Sequence, residues 1–359
     1  MRTVFLKLLR LGIGLPTDPI GESVDWSEIK TLAARQGLSA IILDGVGRLP
    51  AQQRPAKVFL LEWIGSVLQA ENAYAVQQRS AEKLASLLHE NDIRTYVLKG
   101  AVVAECYPKP EHRASVDMDC YLLPEKGDFD AWEAGNRIVS ADGHEVMYDY
   151  YKNSTFFFPG LTVENHRYFT PFRGNKRLEK LEKYLQSLIG ADKGEDRFEG
   201  TWLYRPPVMA TALFLIEHAY SHFLHEGLTW RLILDWVLFC RKHEAEIDRE
   251  ALEHLIDENG FRKFYDSFWK LGRYLLAEVE EEDLTRKDRW MLEDVWADLD
   301  LHETVRGIRG KMALVGNTWR ARWKYRHFAD ISMMRALWIQ VKGVLFIKNP
   351  VLVIAERNR

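Results

Sequence analysis

The chain has 359 residues, 47% of them hydrophobic, and a formal net charge of −3. That length and apolar content allow a sizeable core spread over two or three units, while the near-neutral charge does not mark a nucleic-acid binder. Three scattered cysteines, Cys106, Cys120 and Cys240, exclude a disulfide framework or zinc knuckle and fit a reducing cytoplasm.

The N-terminal run MRTVFLKLLRLGIGLPTD is interrupted by Lys7 and Arg10 and lacks a small-residue cleavage pattern, so it reads as an amphipathic first helix, not a signal peptide. No apolar run elsewhere is long and uncharged enough to predict a membrane span. Residues 1–90 read as a helical segment. Ser23–Asp25 can cap a helix over Trp26–Gln36 that Gly37 ends. A long helix is predicted from Ala56 to about Asn91, on the three- and four-residue recurrence of Phe59, Leu60, Trp63, Ile64, Val67 and Leu68. This block shows no chemistry of its own; its expected task is to pack on a sheet or wall a cleft.

The stretch IRTYVLKGAVVAECYPKPEHRASVDMDCYLL, Ile93 to Leu123, carries the chemistry. It reads as a strand over Ile93–Leu98, a Lys99-Gly100 turn, a short helix over Ala101–Cys106, a Pro-rich loop and a second strand with Asp117 and Asp119. Strand side chains alternate faces, so those two carboxylates point the same way. Flanked by Val116, Met118, Tyr121, Leu122 and Leu123, they sit on a half-buried strand. Burying like charges together is unfavourable unless a cation lies between them, and a hard ion such as Mg2+ suits oxygen ligands. The spacing alone is equally met by two solvent-facing aspartates on an edge strand.

The ordered set of strand, Lys99-Gly100, helix, Arg113 and Asp117-x-Asp119 resembles the nucleotidyltransferases of the polymerase-β-like superfamily. It is most similar to the uncharacterised branch whose strand ends in Leu-Lys-Gly, followed by Arg and Asp-x-Asp. The likeness spans roughly residues 90–240. It implies an NTP substrate, an unknown hydroxyl-bearing acceptor and Mg2+ held by Asp117 and Asp119, with Lys99, Gly100 and Arg113 at the phosphates. In the wider superfamily the turn is Gly-Ser or Gly-Gly; here Lys99 offers a charge in place of a hydroxyl.

Past Asp119 a helix is predicted over Phe129–Val139 with Asp128 near its start, then extended runs at His144–Tyr150, Ser154–Phe158 and Leu161–Phe169, with Gly160 turning between the last two. The sum is an α+β fold, a small mixed and mostly antiparallel sheet with helices over residues 91–200. Glu164 and His166 share a face. The resemblance implies a third metal carboxylate at this point in the order, for which Glu164 is the candidate and Asp149 the competitor. A surface Glu beside a satisfied His is the plain alternative.

The charged run from Asn175 to Phe198 reads as a solvated helix or a flap over the cleft. After Pro206-Pro207 an all-helical domain over 201–359 is expected. His218 and His222 stand four apart, as do Arg231 and Asp235, each pair on one helical face. A zinc site lacks the intervening Glu and further ligands, so the histidines read as core or cleft-lining groups and Arg231 with Asp235 as an ion pair. Leu252–Tyr274 reads as amphipathic, Glu278–Asp283 as a solvated helix end, and Trp290–Leu301 as a helix. From Arg306 to Arg326 basic residues (Arg309, Lys311, Arg320, Arg322, Lys324) interleave with Trp319, Trp323 and Tyr325. Aromatics packed inward with charges in water is the favoured reading; nucleic acid or a peripheral membrane contact is the weaker one. A nucleotide-binding or protein-interaction module without turnover is the alternative function. The acceptor and preferred base are not legible in the sequence.

Overall fold

A computed structural model describes residues 1–21, 23–171, 175–297, 319 and 321–338. The basic residues Arg306, Arg309, Lys311 and Arg320 and most of the apolar tail Leu337–Ile354 therefore lie outside the described residues.

Three short helices, α1 (Arg2–Gly12), α2 (Trp26–Arg35) and α3 (Ser39–Gly47), precede the long α4 (Lys57–His89). Asp25 caps α2 by accepting from the Glu28 amide at 3.0 Å, as its position predicts. α1 and α3 cross closely because glycines stand at the contact. A Cβ on Gly12 would fall on the Ile41 carbonyl oxygen, and one on Gly45 on that of Leu8. On α4 the periodic apolar set divides. Trp63 and Val67 are buried, but Ile64 and Leu68 are exposed, because only one side of the helix's first half meets α2 and α3.

The sheet has the order β3-β4-β5-β2-β1-β6: β3 Glu145–Tyr150, β4 Asn153–Phe158, β5 Leu161–His166, β2 Asp117–Pro124, β1 Ile93–Val97, β6 Leu203–Tyr204. β1/β2, β3/β4 and β4/β5 pair antiparallel, while β2/β5 and β1/β6 pair parallel. The fold is α+β with a mixed sheet, as expected, and β6 joins as a short edge strand that the sequence reading did not include. Between β1 and β2 lies α5 (Ala101–Ala104), a single turn rather than a helix reaching Cys106. α6 runs Ala131–Ala141 with Asp130 capping the Glu133 amide at 3.0 Å. The predicted start near Asp128 was two residues early because Asp130 is the carboxylate placed to cap.

Each sheet face has its own core. One carries Val97, Met118, Cys120, Leu122 and Val163 against Ala81, Leu84 and Leu88 of α4. The other carries Tyr96, Leu98 and Tyr121 against Phe169 and Phe214, in a cluster running on through the N- and C-terminal helices. On that side pack α7 (Lys176–Ala191), α8 (Val208–His225), α9 (Trp230–Lys242), α10 (Arg249–Asn259), α11 (Arg262–Leu275) and α12 (Arg286–Trp296). α7 is an amphipathic helix with Leu181, Leu185 and Ile189 buried, not a flap. The amphipathic stretch read over Leu252–Tyr274 is two helices, since Gly260 at φ 76° ends α10 in a left-handed cap. Lys324, in a helix over Arg322–Phe328, is buried against Asp294 at 2.7 Å; among the described residues of the basic stripe this charge points inward, while Trp319 is exposed.

Candidate active site

Two strand ends and one turn build the site. β1 finishes at Val97, and the Leu98 amide still donates to the Asp119 carbonyl at 2.9 Å, so the turn that follows starts beside β2. Gly100 takes φ 65° and ψ −106°, a conformation that a Cβ makes costly. A Cβ there would meet only ordinary contacts, Ser115 Oγ at 3.7 Å and the Asp117 carbonyl at 3.8 Å. Backbone geometry, not crowding, demands the glycine.

Across the parallel β2/β5 pair, Asp117 stands opposite Thr162, Asp119 opposite Glu164 and Tyr121 opposite His166. Registered neighbours share a face, so Asp117, Asp119, Glu164 and His166 all project toward α8. His166 Nε2 donates to Asp119 Oδ1 at 3.1 Å and lies 3.6 Å from Glu164 Oε2. One ligand atom each from Asp119, Glu164 and His166 fits within 4.8 Å of the others. Asp149 lies on β3, with β4 and β5 between it and β2, whereas β5 is β2's direct neighbour.

Lys99 Nζ sits 2.9 Å from Asp119 Oδ2 and donates to His218 Nε2 at 3.1 Å. The ammonium has only donors, so His218 must accept with that nitrogen, and burial together with Lys99 holds its pKa well below the ordinary histidine value. His166 is the opposite case. Burial opposes its charge, but the hydrogen bonds to Asp119 and Glu164 prevail and raise its pKa; its Nδ1 faces the Tyr168 carbonyl at 3.3 Å, so both ring nitrogens face acceptors.

The two aspartates are driven apart in the same way. Burial pushes Asp117 up, and the charges of Asp119 and Glu164 push further, so its carboxyl titrates above its usual range. Burial also disfavours the Asp119 anion, but Lys99 and His166 outweigh it and hold that carboxyl well below the usual range. Unlike environments on neighbouring carboxylates separate their protonation states.

Arg113 is not among the carboxylates. Its Nε and Nη2 form a bidentate pair with Asp235 of α9, both at 2.8 Å, and Tyr107 donates to the same carboxylate at 2.6 Å. The expected Arg231–Asp235 pair is replaced: Arg231 donates to the Ala114 carbonyl at 3.3 Å, because α9 turns Asp235 into the core while Arg231 stays half-exposed. Arg113 nevertheless borders a cavity that also touches Gly100, Ser115 and Asp117. His222 pairs with Glu226 at 2.8 Å and does not share the Lys99 contact of His218.

A sequence profile for uncharacterised nucleotidyltransferases matches residues 22–277, well over half of the chain. The chain belongs to this nucleotidyltransferase family. No curated protein and no solved structure matches it. The match takes in the N-terminal helices from α2 onward as well as the sheet and α8–α11, so it reaches well beyond the stretch on which the resemblance was seen. Among the described residues no helix is long and apolar enough to cross a membrane.

Two contacts around these carboxylates were not assigned from the sequence. His166 was legible by alternation with Glu164 but has a plain alternative as a satisfied histidine. The Lys99–His218 contact joins residues 119 positions apart, and local spacing carries no signal for it.

Proposed function

We propose that this chain moves a nucleoside monophosphate from an NTP to a hydroxyl-bearing acceptor, with Mg2+ held by Asp117, Asp119 and Glu164. The observation that carries this is the β2/β5 register, which puts three carboxylates on one sheet face beside the positive-φ turn at Gly100; two of them, Asp119 and Glu164, have ligand atoms within 4.8 Å of each other and of His166. The donor set fits a divalent ion: Asp119 and Glu164 supply carboxylate oxygens beside the ring of His166, and burial together with the charges of Asp119 and Glu164 raises the Asp117 carboxyl, a cost that a cation relieves. Bound there, Mg2+ neutralises triphosphate charge and stabilises the attacking and leaving oxygens.

The chain's own groups do the rest. Gly100 lets the backbone approach the phosphates, and Lys99 adds a positive charge beside them. Glu164, with its side chain 37% exposed against 3% for Asp119, is the carboxylate open enough to take the proton of the attacking hydroxyl. The acceptor oxygen bonds to the α-phosphorus, the α–β bridging bond breaks, and pyrophosphate leaves.

Asp117→Ala should abolish Mg2+-dependent NTP consumption and weaken Mg2+ binding by calorimetry, with the circular dichroism spectrum retained. Turnover equal to the parent chain refutes the assignment. One observation favours a second reading, a nucleotide-binding module without turnover: Lys99 already neutralises Asp119. Calorimetry with the four NTPs plus a pyrophosphate-release assay separates them, since the module binds and releases nothing.

A further inference from the structure

Beside the catalytic carboxylates runs a second space. α4 turns one face toward the α2–α3 corner, presenting Ala70, Ala73, Tyr74 and Gln77 at helical steps across from Ala34 and Gly37, and the groove so formed encloses about 320 Å³. That volume is in the range of small-molecule sites, roughly 300–1,000 Å³. The small residues on both walls are what keep it open.

The groove adjoins the small cavity at the Gly100 turn and Asp117. Tyr74, Gln77, Arg113 and Ser115 line both it and the cavity that holds Gly100 and Asp117. At this junction sits a buried donor with nothing to do. Arg113 is 2% exposed; Asp235 occupies Nε and Nη2, and Nη1 has no hydrogen-bond partner among the described residues. A buried guanidinium nitrogen left unbonded is uncommon and calls for a ligand. The opposite side of the carboxylates is closed by α8, where Phe214 packs on the His166 ring at 5.7 Å.

We propose that this groove receives the nucleoside end of the nucleotide, with Tyr74 stacking on the base and Arg113 Nη1 donating to a phosphate oxygen at the junction. The inference rests on the nucleotidyltransferase reading of Asp117 and adds to it where the base lies. A half-buried aromatic ring gives any base a π-face to stack on. Gln77 Nε2 donates to the Ser115 carbonyl at 3.3 Å, which leaves Oε1 to accept from a base amine. Glu111 and His112 also border the groove; the His112 ring is already held between Asp44 and Glu71 and offers no free donor to a polyphosphate, so the uncharged nucleoside takes the groove and the phosphates take the Gly100 end.

The test uses the full chain with Mg2+ and compares calorimetric binding of ATP, GTP, CTP and UTP with that of tripolyphosphate, which lacks the nucleoside. The parent chain should bind at least one NTP about tenfold tighter than tripolyphosphate, a difference readily resolved. Ala73→Trp, at an exposed helix position, should remove that advantage and leave tripolyphosphate binding unchanged. Tyr74→Ala should act in the same direction and Tyr74→Phe should not. A folded Ala73→Trp chain with an unaltered NTP-to-tripolyphosphate ratio overturns the proposal, as does equal weakening of both ligands or a parent chain that does not distinguish them. A parent chain that binds neither ligand instead brings down the nucleotidyltransferase reading, and the groove assignment with it.

Discussion

Removing the Asp235 carboxylate should be among the most damaging single changes available to this protein. The Arg113 and Asp235 side chains are 1% and 2% exposed, so Asp235→Ala leaves a guanidinium buried without its anion. Breaking such a pair costs about 3–5 kcal/mol, and the Tyr107 hydroxyl loses its acceptor in the same step. A net loss of about 4 kcal/mol corresponds to roughly three decades in the folded-to-unfolded ratio. Urea unfolding followed by far-ultraviolet circular dichroism reads this directly. The double variant Arg113→Met/Asp235→Leu removes both charges together and should recover most of the loss, because well-packed apolar pairs replace buried ion pairs at little cost. An Asp235→Ala loss below about 1 kcal/mol, or a double variant no more stable than the single one, refutes the account. The pH dependence has a definite sign. Burial raises the Asp235 carboxyl, but Arg113 prevails and lowers it. Its stabilisation is therefore complete above the unfolded value of about 3.9 and disappears as pH falls through the lower folded value. Asp235 variants should lack that acid limb.

Three further outcomes are expected. His112 bridges Asp44 and Glu71, with Nε2 at 2.8 Å from the latter; burial opposes its charge, yet these hydrogen bonds raise its pKa. Its contribution is complete below the unfolded value of about 6.5 and is lost as pH rises through the folded value, so melting temperature should fall less steeply above neutrality in His112→Leu than in the parent. Equal slopes refute the bridge. Gly45→Ala drives a methyl into the Leu8 carbonyl and should cost about 1–3 kcal/mol in urea unfolding by parting α1 from α3; a neutral result means the crossing is looser than described. Lys99→Met removes one of the two partners of buried Asp119, leaving His166, and should lose about 1–3 kcal/mol. If the carboxylates are a metal site, Mg2+ should raise the melting temperature of this variant more than that of the parent, and identical Mg2+ responses count against that reading.

Short-range periodicity made much of this protein legible from its residues alone. Alternation placed Asp117 with Asp119 and Glu164 with His166, punctuation by Gly and Pro located the turn at Gly100 and the start of α8, and a carboxylate before an apolar run located the cap of α2. Those signals act within a few residues, where the chain's own geometry decides which side chains share a face. What only the tertiary structure decided is which faces meet. The parallel pairing of β2 with β5 brings Glu164 to Asp119 and leaves Asp149 on β3 with two strands in between. The docking of α8 and α9 gives Lys99 to His218 and Arg113 to Asp235, over separations of more than a hundred residues. Strand order and helix docking are chosen by the burial of whole faces, so no local spacing could have matched those partners.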